Sequence, residues 1–256
     1  YESALNSIAR KGQGTKSLAE SRGRASGRRV VMKRKVFLFG GSGGRMLEAL
    51  LFMAFAGITP EETLDLVLCD PDGDGMHGAV QLRQELADYQ RIWASRTYIG
   101  TENPAFQTEI NLRTWCDPLP MNAKTLADWT QDEKQDALLC QALFPADTAS
   151  LDLRQGFHDH PELARVAFAA MLSECENDPD DAMRRTLDEI QSALNAGEEV
   201  RAVLAGSLCG GTGAAGIESV AALLQNRFGQ NDNFRMGAVL MLPCACLLYT
   251  SDAADE

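Results

Sequence analysis

The chain contains no GxxxxGK[ST] sequence, and a Walker-type NTPase is thereby excluded. It has no Cys-x-x-Cys pair and no Cys/His spacing of a zinc site: its 7 cysteines stand at Cys69, Cys116, Cys140, Cys175, Cys209, Cys244 and Cys246. Thiols scattered in this way suit a reducing compartment, and the expectation is a cytoplasmic protein. Apolar runs stay short of a bilayer span. The longest, Met46 to Gly57, carries Glu48 and reads as a buried helix, so no membrane association is expected. Histidine is scarce at 3 residues, and His158 and His160, which flank Asp159, lack a third ligand in sequence, so no metal centre is expected. No repeat or low-complexity tract is present. With 36 Asp+Glu against 24 Lys+Arg, the net charge of −12 argues against general nucleic-acid binding.

That charge is unevenly spread. Residues 1–35 hold 10 of the 24 basic residues but only Glu2 and Glu20 among the acids, a local excess of +8. This Gly-, Ser- and Arg-rich segment has no apolar period to bury, so it reads as a disordered basic arm or as translated upstream sequence ahead of Met32. At the other end, residues 246–256 resemble a translated sequencing adapter and are not expected to belong to the fold. Residues 36–245 remain, enough for one domain with a sizeable core.

Within them the pattern alternates between strand and helix. Val36-Phe37-Leu38-Phe39 reads as a strand, Gly40-Gly41-Ser42-Gly43-Gly44 as a turn, and Arg45 to Phe52 as the start of a helix. Leu64 to Cys69 is a second strand, closed by Asp70-Pro71-Asp72-Gly73-Asp74-Gly75. Part of a calcium loop is echoed there, but Gln81 stands where the bidentate Glu is required. Helices are expected over Val80–Trp93 and Leu126–Leu143, with a loop-rich stretch between them; Trp93, Trp115 and Trp129 read as packing residues. A helix starts after His160. Another, over Asp180–Ala196, puts Ala182, Met183, Leu187, Ile190 and Leu194 on one face and ends at Gly197.

The strand–turn–helix unit then recurs. Ala202 to Ala205 is a buried strand, Cys209-Gly210-Gly211-Thr212-Gly213 a glycine turn, Ala214 to Leu224 a helix, and Phe234 to Pro243 the next strand. Glycines let backbone N–H groups approach a ligand, and the following helix aims its positive end at the same point, so each unit is a candidate phosphate cradle. The fold class expected is α/β: a Rossmann-like, doubly wound, mostly parallel sheet with helices on both faces, plus an insertion at about 76–150 after the second strand.

The order FGGSGG, a strand ending in DPD, GFHDHPELAR, AGSLCGGTGAAGI and MGAVLMLP resembles the nucleotide-binding half of the tubulin and FtsZ family, in a divergent bacterial or phage form. Gly210, Gly211, Thr212 and Gly213 match that family's signature, while Cys209 and Ala215 stand where it usually has small residues or glycine. The resemblance implies GTP or GDP as ligand, with Mg²⁺ carried on the nucleotide. It assigns Gly40, Gly41, Ser42, Gly43 and Gly44 to the first nucleotide loop, Arg45 to a phosphate or base contact, Asp72 to the acid after the second strand, and Pro161 and Glu162 to the γ-phosphate loop. It further implies self-association into filaments, with hydrolysis completed by an acidic loop beyond the fifth strand, so that this chain is expected to bind GTP without hydrolysing it efficiently. Two alternatives stand beside it. A nicotinamide-dependent oxidoreductase is one, because Asp70 or Asp72 roughly follows the dinucleotide fingerprint; a nucleotide-free scaffold of the same fold is the other.

Overall fold

The computed structural model describes residues 32–59, 63–71, 79–95, 105–115, 123–130, 134–157 and 160–242. Among them a five-stranded sheet is built from β1 (Met32–Phe39), β2 (Thr63–Cys69), β3 (Glu109–Thr114), β4 (Glu199–Ser207) and β5 (Phe234–Met241), in the order β3-β2-β1-β4-β5. Each adjacent pair is parallel. A parallel pair needs a crossover, and helices supply it. In chain order they are α1 (Gly40–Phe55), α2 (Ala79–Ala94), α3 (Leu126–Thr130), α4 (Lys134–Leu143), α5 (Ala146–Ala149), α6 (Pro161–Cys175), α7 (Ala182–Asn195) and α8 (Gly211–Phe228).

Side chains alternate across the sheet and divide its core in two. On one face, Leu38, Leu66, Leu68 and Ala205 pack with Leu47, Leu51 and Ala54 of α1 and with Leu86 and Tyr89 of α2. On the other, Phe37, Phe39, Val67, Ala202 and Leu204 pack with α6, α7 and α8 through Phe168, Ile190 and Val220, among others. The α/β doubly wound, Rossmann-like arrangement expected from the sequence is therefore the one observed. β1, covered on both faces, reads as a continuous apolar run at Val36–Phe39 for that reason. No described helix is long and apolar enough to cross a membrane.

Several boundaries differ from the sequence reading. β1 begins at Met32, so Met32–Lys35 belong to the sheet and not to a basic arm. Lys35 is 4 % exposed, which its assignment to the basic segment 1–35 does not anticipate. Its ammonium reaches Asp65 of β2 at 2.9 Å and also pairs with Glu189 of α7. The stretch read as an insertion holds α2, which packs on the sheet, and β3, which belongs to it: β3 pairs with β2 from Thr63↔Glu109 to Leu68↔Thr114. β3 is short and polar at alternate positions, and its sequence signal is correspondingly weak. Of the helix expected over 126–143, Leu126–Thr130 and Lys134–Leu143 are helical, and 131–133 lie outside the described residues. α7 matches its expectation: Asp181 caps it by accepting the Arg184 N–H at 2.9 Å, Met183, Leu187, Ile190 and Leu194 are buried, and Gly197 follows with φ +74°.

Candidate functional site

The two glycine segments end up side by side. β1 and β4 are neighbours, with Phe39 opposite Gly206, so α1 and α8 both start at the carboxyl edge of the central strand pair. α1 lies on one face of the sheet and α8 on the other. The winding reverses here, and it is at such a switch point that doubly wound sheets leave a crevice for ligands.

Contrary to the sequence reading, Gly40–Gly44 is not a free loop: α1 starts at Gly40, immediately after β1. Gly40 makes the tight junction possible with φ +65°, a conformation that strains any residue bearing a Cβ. A Cβ at Gly40 would also lie 3.3 Å from Cβ of Thr212, which locates the α8 start against the α1 start. Gly41 and Ser42 are half-buried, Gly43 and Gly44 buried. Because the helix begins earlier than expected, Arg45 falls more than a full turn inside it and is exposed, so its assignment to the helix start is corrected.

At the second junction Gly210 is the N-cap of α8, and its carbonyl accepts the Ala214 N–H at 3.1 Å. The turn is tied down by Leu208 N–H donating to Met241 O and Cys209 N–H donating to Ser207 Oγ, both at 3.0 Å. Gly213 lets the helix close onto β4, since a Cβ there would overlap the Ser207 carbonyl oxygen. Thr212 is 9 % exposed, and its hydroxyl makes no hydrogen bond among the described residues.

Each helix leaves its first N–H groups without an intrahelical acceptor. Neither α1 nor α8 has a side-chain cap or an acidic residue in its first turn, in contrast to α7 with Asp181. Two uncompensated positive helix ends thus meet beside a free hydroxyl, an arrangement suited to an anion with several oxygens.

Pro161 and Glu162 open α6, and this third helix start adjoins the second: a Cβ at Gly211 would stand 2.7 Å from Phe157 Cβ and 3.3 Å from the His160 carbonyl. The packing of Phe157 on Gly211 had no signal in the sequence, since it depends on a contact across the fold. Both Pro161 and Glu162 are exposed. Glu162 Oε1 accepts a hydrogen bond from His160 Nδ1 at 2.8 Å. Its carboxyl is held below the usual range, first by a hydrogen bond from its own backbone N–H and then by the His160 ring. Asp72, His158 and Asp159 lie outside the described residues. Asp70, the residue after β2, is half-buried.

At the opposite, amino end of the strands a groove of about 800 Å³ is lined by Lys35, Asp65, Glu109, Asn111 and Glu189, among others. Its central charges satisfy one another: Asn111 donates to Asp65 at 3.0 Å and Arg113 to Glu189 at 3.0 Å, alongside the Lys35 pairs. This cluster holds α7 to the sheet and is remote from the helix starts. Comparison with protein-family models, curated proteins and solved structures finds no match for the chain.

Proposed function

We propose that the crevice binds a guanine nucleotide through its phosphates and that the chain is the nucleotide-binding part of a tubulin-like protein, in intact form a filament-forming GTPase. The observation that carries this reading is the meeting of two uncapped helix starts at Gly40 and Thr212. Gly40, Gly41 and Ser42 on one side and Gly210, Gly211, Thr212 and Gly213 on the other present their N–H groups, and Thr212 adds its hydroxyl. The departure from the family's signature at Ala215 does not touch the crevice, because Ala215 is fully buried in the core beneath α8. Arg45 is exposed, and no lysine stands among these residues, so the charge of a triphosphate is offset by Mg²⁺ arriving with it, which suits a site built of N–H donors and one hydroxyl. Those residues bind and orient the phosphates; none of them is assigned a part in hydrolysis.

Calorimetry of the full chain with GTP and Mg²⁺ tests the proposal. Binding is expected, and Thr212→Val, which keeps the shape and removes the hydroxyl, is expected to weaken it about tenfold, the effect of one hydrogen bond to a charged group. Equal affinity in the variant removes Thr212 from the site. A second reading is favoured by the packing of Gly43 on Leu38 and of Gly213 on Ser207, which accounts for both glycines with no ligand present. On that reading the chain is a nucleotide-free scaffold, and calorimetry gives no heat of binding with GTP, GDP or NAD(P).

A further inference from the structure

Among the described residues β5 ends the strand order, and its edge carries a definite pattern of backbone groups. In a parallel pair, alternate residues turn their N–H and C=O toward the neighbouring strand. The Val200 N–H donates to Asn233 O and the Leu208 N–H to Met241 O, so the odd-numbered residues of β5 serve β4. Phe234, Met236, Ala238, Leu240 and Leu242 therefore direct their backbone groups to the edge. From Gly237 to Leu242 every residue is exposed, whichever face its side chain takes. The acids that give the chain its net charge of −12 are absent between Phe234 and Leu242, where Arg235 is the one charged residue. Two copies can approach here with little local like-charge repulsion.

We propose that β5 is a self-association surface: two copies pair it antiparallel about a two-fold axis at Ala238, joining two five-stranded sheets into one. The pairing is independent of the nucleotide reading above, and such a closed pair differs from a head-to-tail filament contact. In this register Phe234 faces Leu242 of the second copy, Arg235 faces Met241, Met236 faces Leu240 and Gly237 faces Val239. The edge-directed residues of the two copies then meet one another, and each finds a donor and an acceptor. Gly237 supplies a notch, since a Cβ there meets nothing within 4 Å, and the branched Val239 of the second copy covers it. Moving the axis to Gly237 or Val239 loses that match and leaves the ends of the segment 234–242 unpaired. The exposed parts of Val239, Leu240, Met241 and Leu242, with the backbone edge, amount to roughly 500 Å² on each copy, or about 1,000 Å² in all. That area is at the lower end for a specific interface, so the dimer is a weak, concentration-dependent one.

Analytical ultracentrifugation of the full chain over a dilution series tests the proposal. A monomer–dimer equilibrium in the micromolar range is expected, tightening as salt screens the repulsion between two acidic bodies. Ala238→Pro removes an N–H that β4 does not use, so it is expected to melt like the parent while dimerising at least about tenfold more weakly. Ala238→Cys sets two thiols across the axis, where paired Cα atoms lie about 5.5 Å apart and a disulfide can close. Mild oxidation of that variant is expected to link two copies through position 238, mapped by mass spectrometry of unreduced peptides. Leu240→Cys, whose two copies stand about 13 Å apart along the strands, is expected to give no such link. The disulfide measurement decides the matter if Ala238→Pro fails to fold. A parent that is monomeric throughout overturns the proposal, and if its β5 amides resist hydrogen exchange, the chain itself covers the edge. A dimer that Ala238→Pro does not weaken, or an oxidised Ala238→Cys without the 238 link, overturns it by moving the contact elsewhere. A series of species larger than dimers overturns the closed pair in favour of open assembly.

Discussion

Gly213 and Gly237 present opposite surroundings and so make a controlled pair. A methyl group at Gly213 overlaps the Ser207 carbonyl, whereas one at Gly237, in β5, meets nothing within 4 Å. Gly213→Ala is expected to cost about 3 kcal/mol, as overpacking against backbone does, and Gly237→Ala to be neutral or slightly stabilising. Denaturant midpoints at constant slope measure both. The glycines of the two junctions were legible in the sequence because their signal is local: a strand, a glycine cluster and a helix follow one another. Lys35 was not legible. Its partners Asp65 and Glu189 stand 30 and 154 positions away, so nothing near Lys35 announces that this lysine is buried.

Among the described elements, α7 is pinned to the sheet by charge as well as by its apolar face. Burial pushes the Glu189 carboxyl up, but hydrogen bonds from Arg113 and Lys35, with their charges, outweigh it and hold Glu189 down at about 2, against an ordinary value of 4.5. A depressed carboxyl stabilises the fold above its unfolded value and loses that contribution as the pH falls through its folded one. Stability is therefore expected to decline between about pH 4.5 and 2, and Glu189→Gln to flatten that part of the profile. Thermal melts across this window check it; the same slope in the variant removes Glu189 as the cause. Lys35→Met, which removes the ammonium shared by the two carboxylates and leaves them facing each other, is expected to destabilise by about 1–3 kcal/mol at neutral pH, measurable by urea unfolding. At this scale the sequence conveyed α7, β4 and α8 well, because each has a strong period or apolar run. β3 escaped it: six residues with Ile110 buried and Leu112 half-buried give too short an alternation to stand out.

For the whole molecule, β5 is the exposed flank. Val239, Leu240, Met241 and Leu242 are 53 %, 42 %, 40 % and 60 % exposed, and among the described residues β5 ends the strand order, so there apolar side chains and a backbone edge without a neighbouring strand coincide. Such an edge invites pairing between chains, and a charge on it opposes this. Val239→Lys is expected to raise the concentration at which the protein stays monomeric without lowering its melting temperature. Light scattering over a dilution series decides the matter, and identical curves for parent and variant show that β5 does not drive association.

The position of β1 in the middle of the sheet also sets a timetable. Met32 pairs with Glu199, 167 positions later (199 − 32), whereas its other neighbour, β2, follows directly after α1. β4 starts 136 positions after β2, so a ribosome adding about 5–20 residues per second makes the second partner roughly 7–27 s after the first. During synthesis the central strand waits half-paired, and the crevice cannot exist until β4 arrives. Nascent chains arrested before Glu199 are thus expected to be digested readily by protease, and those released past Met241 to resist it.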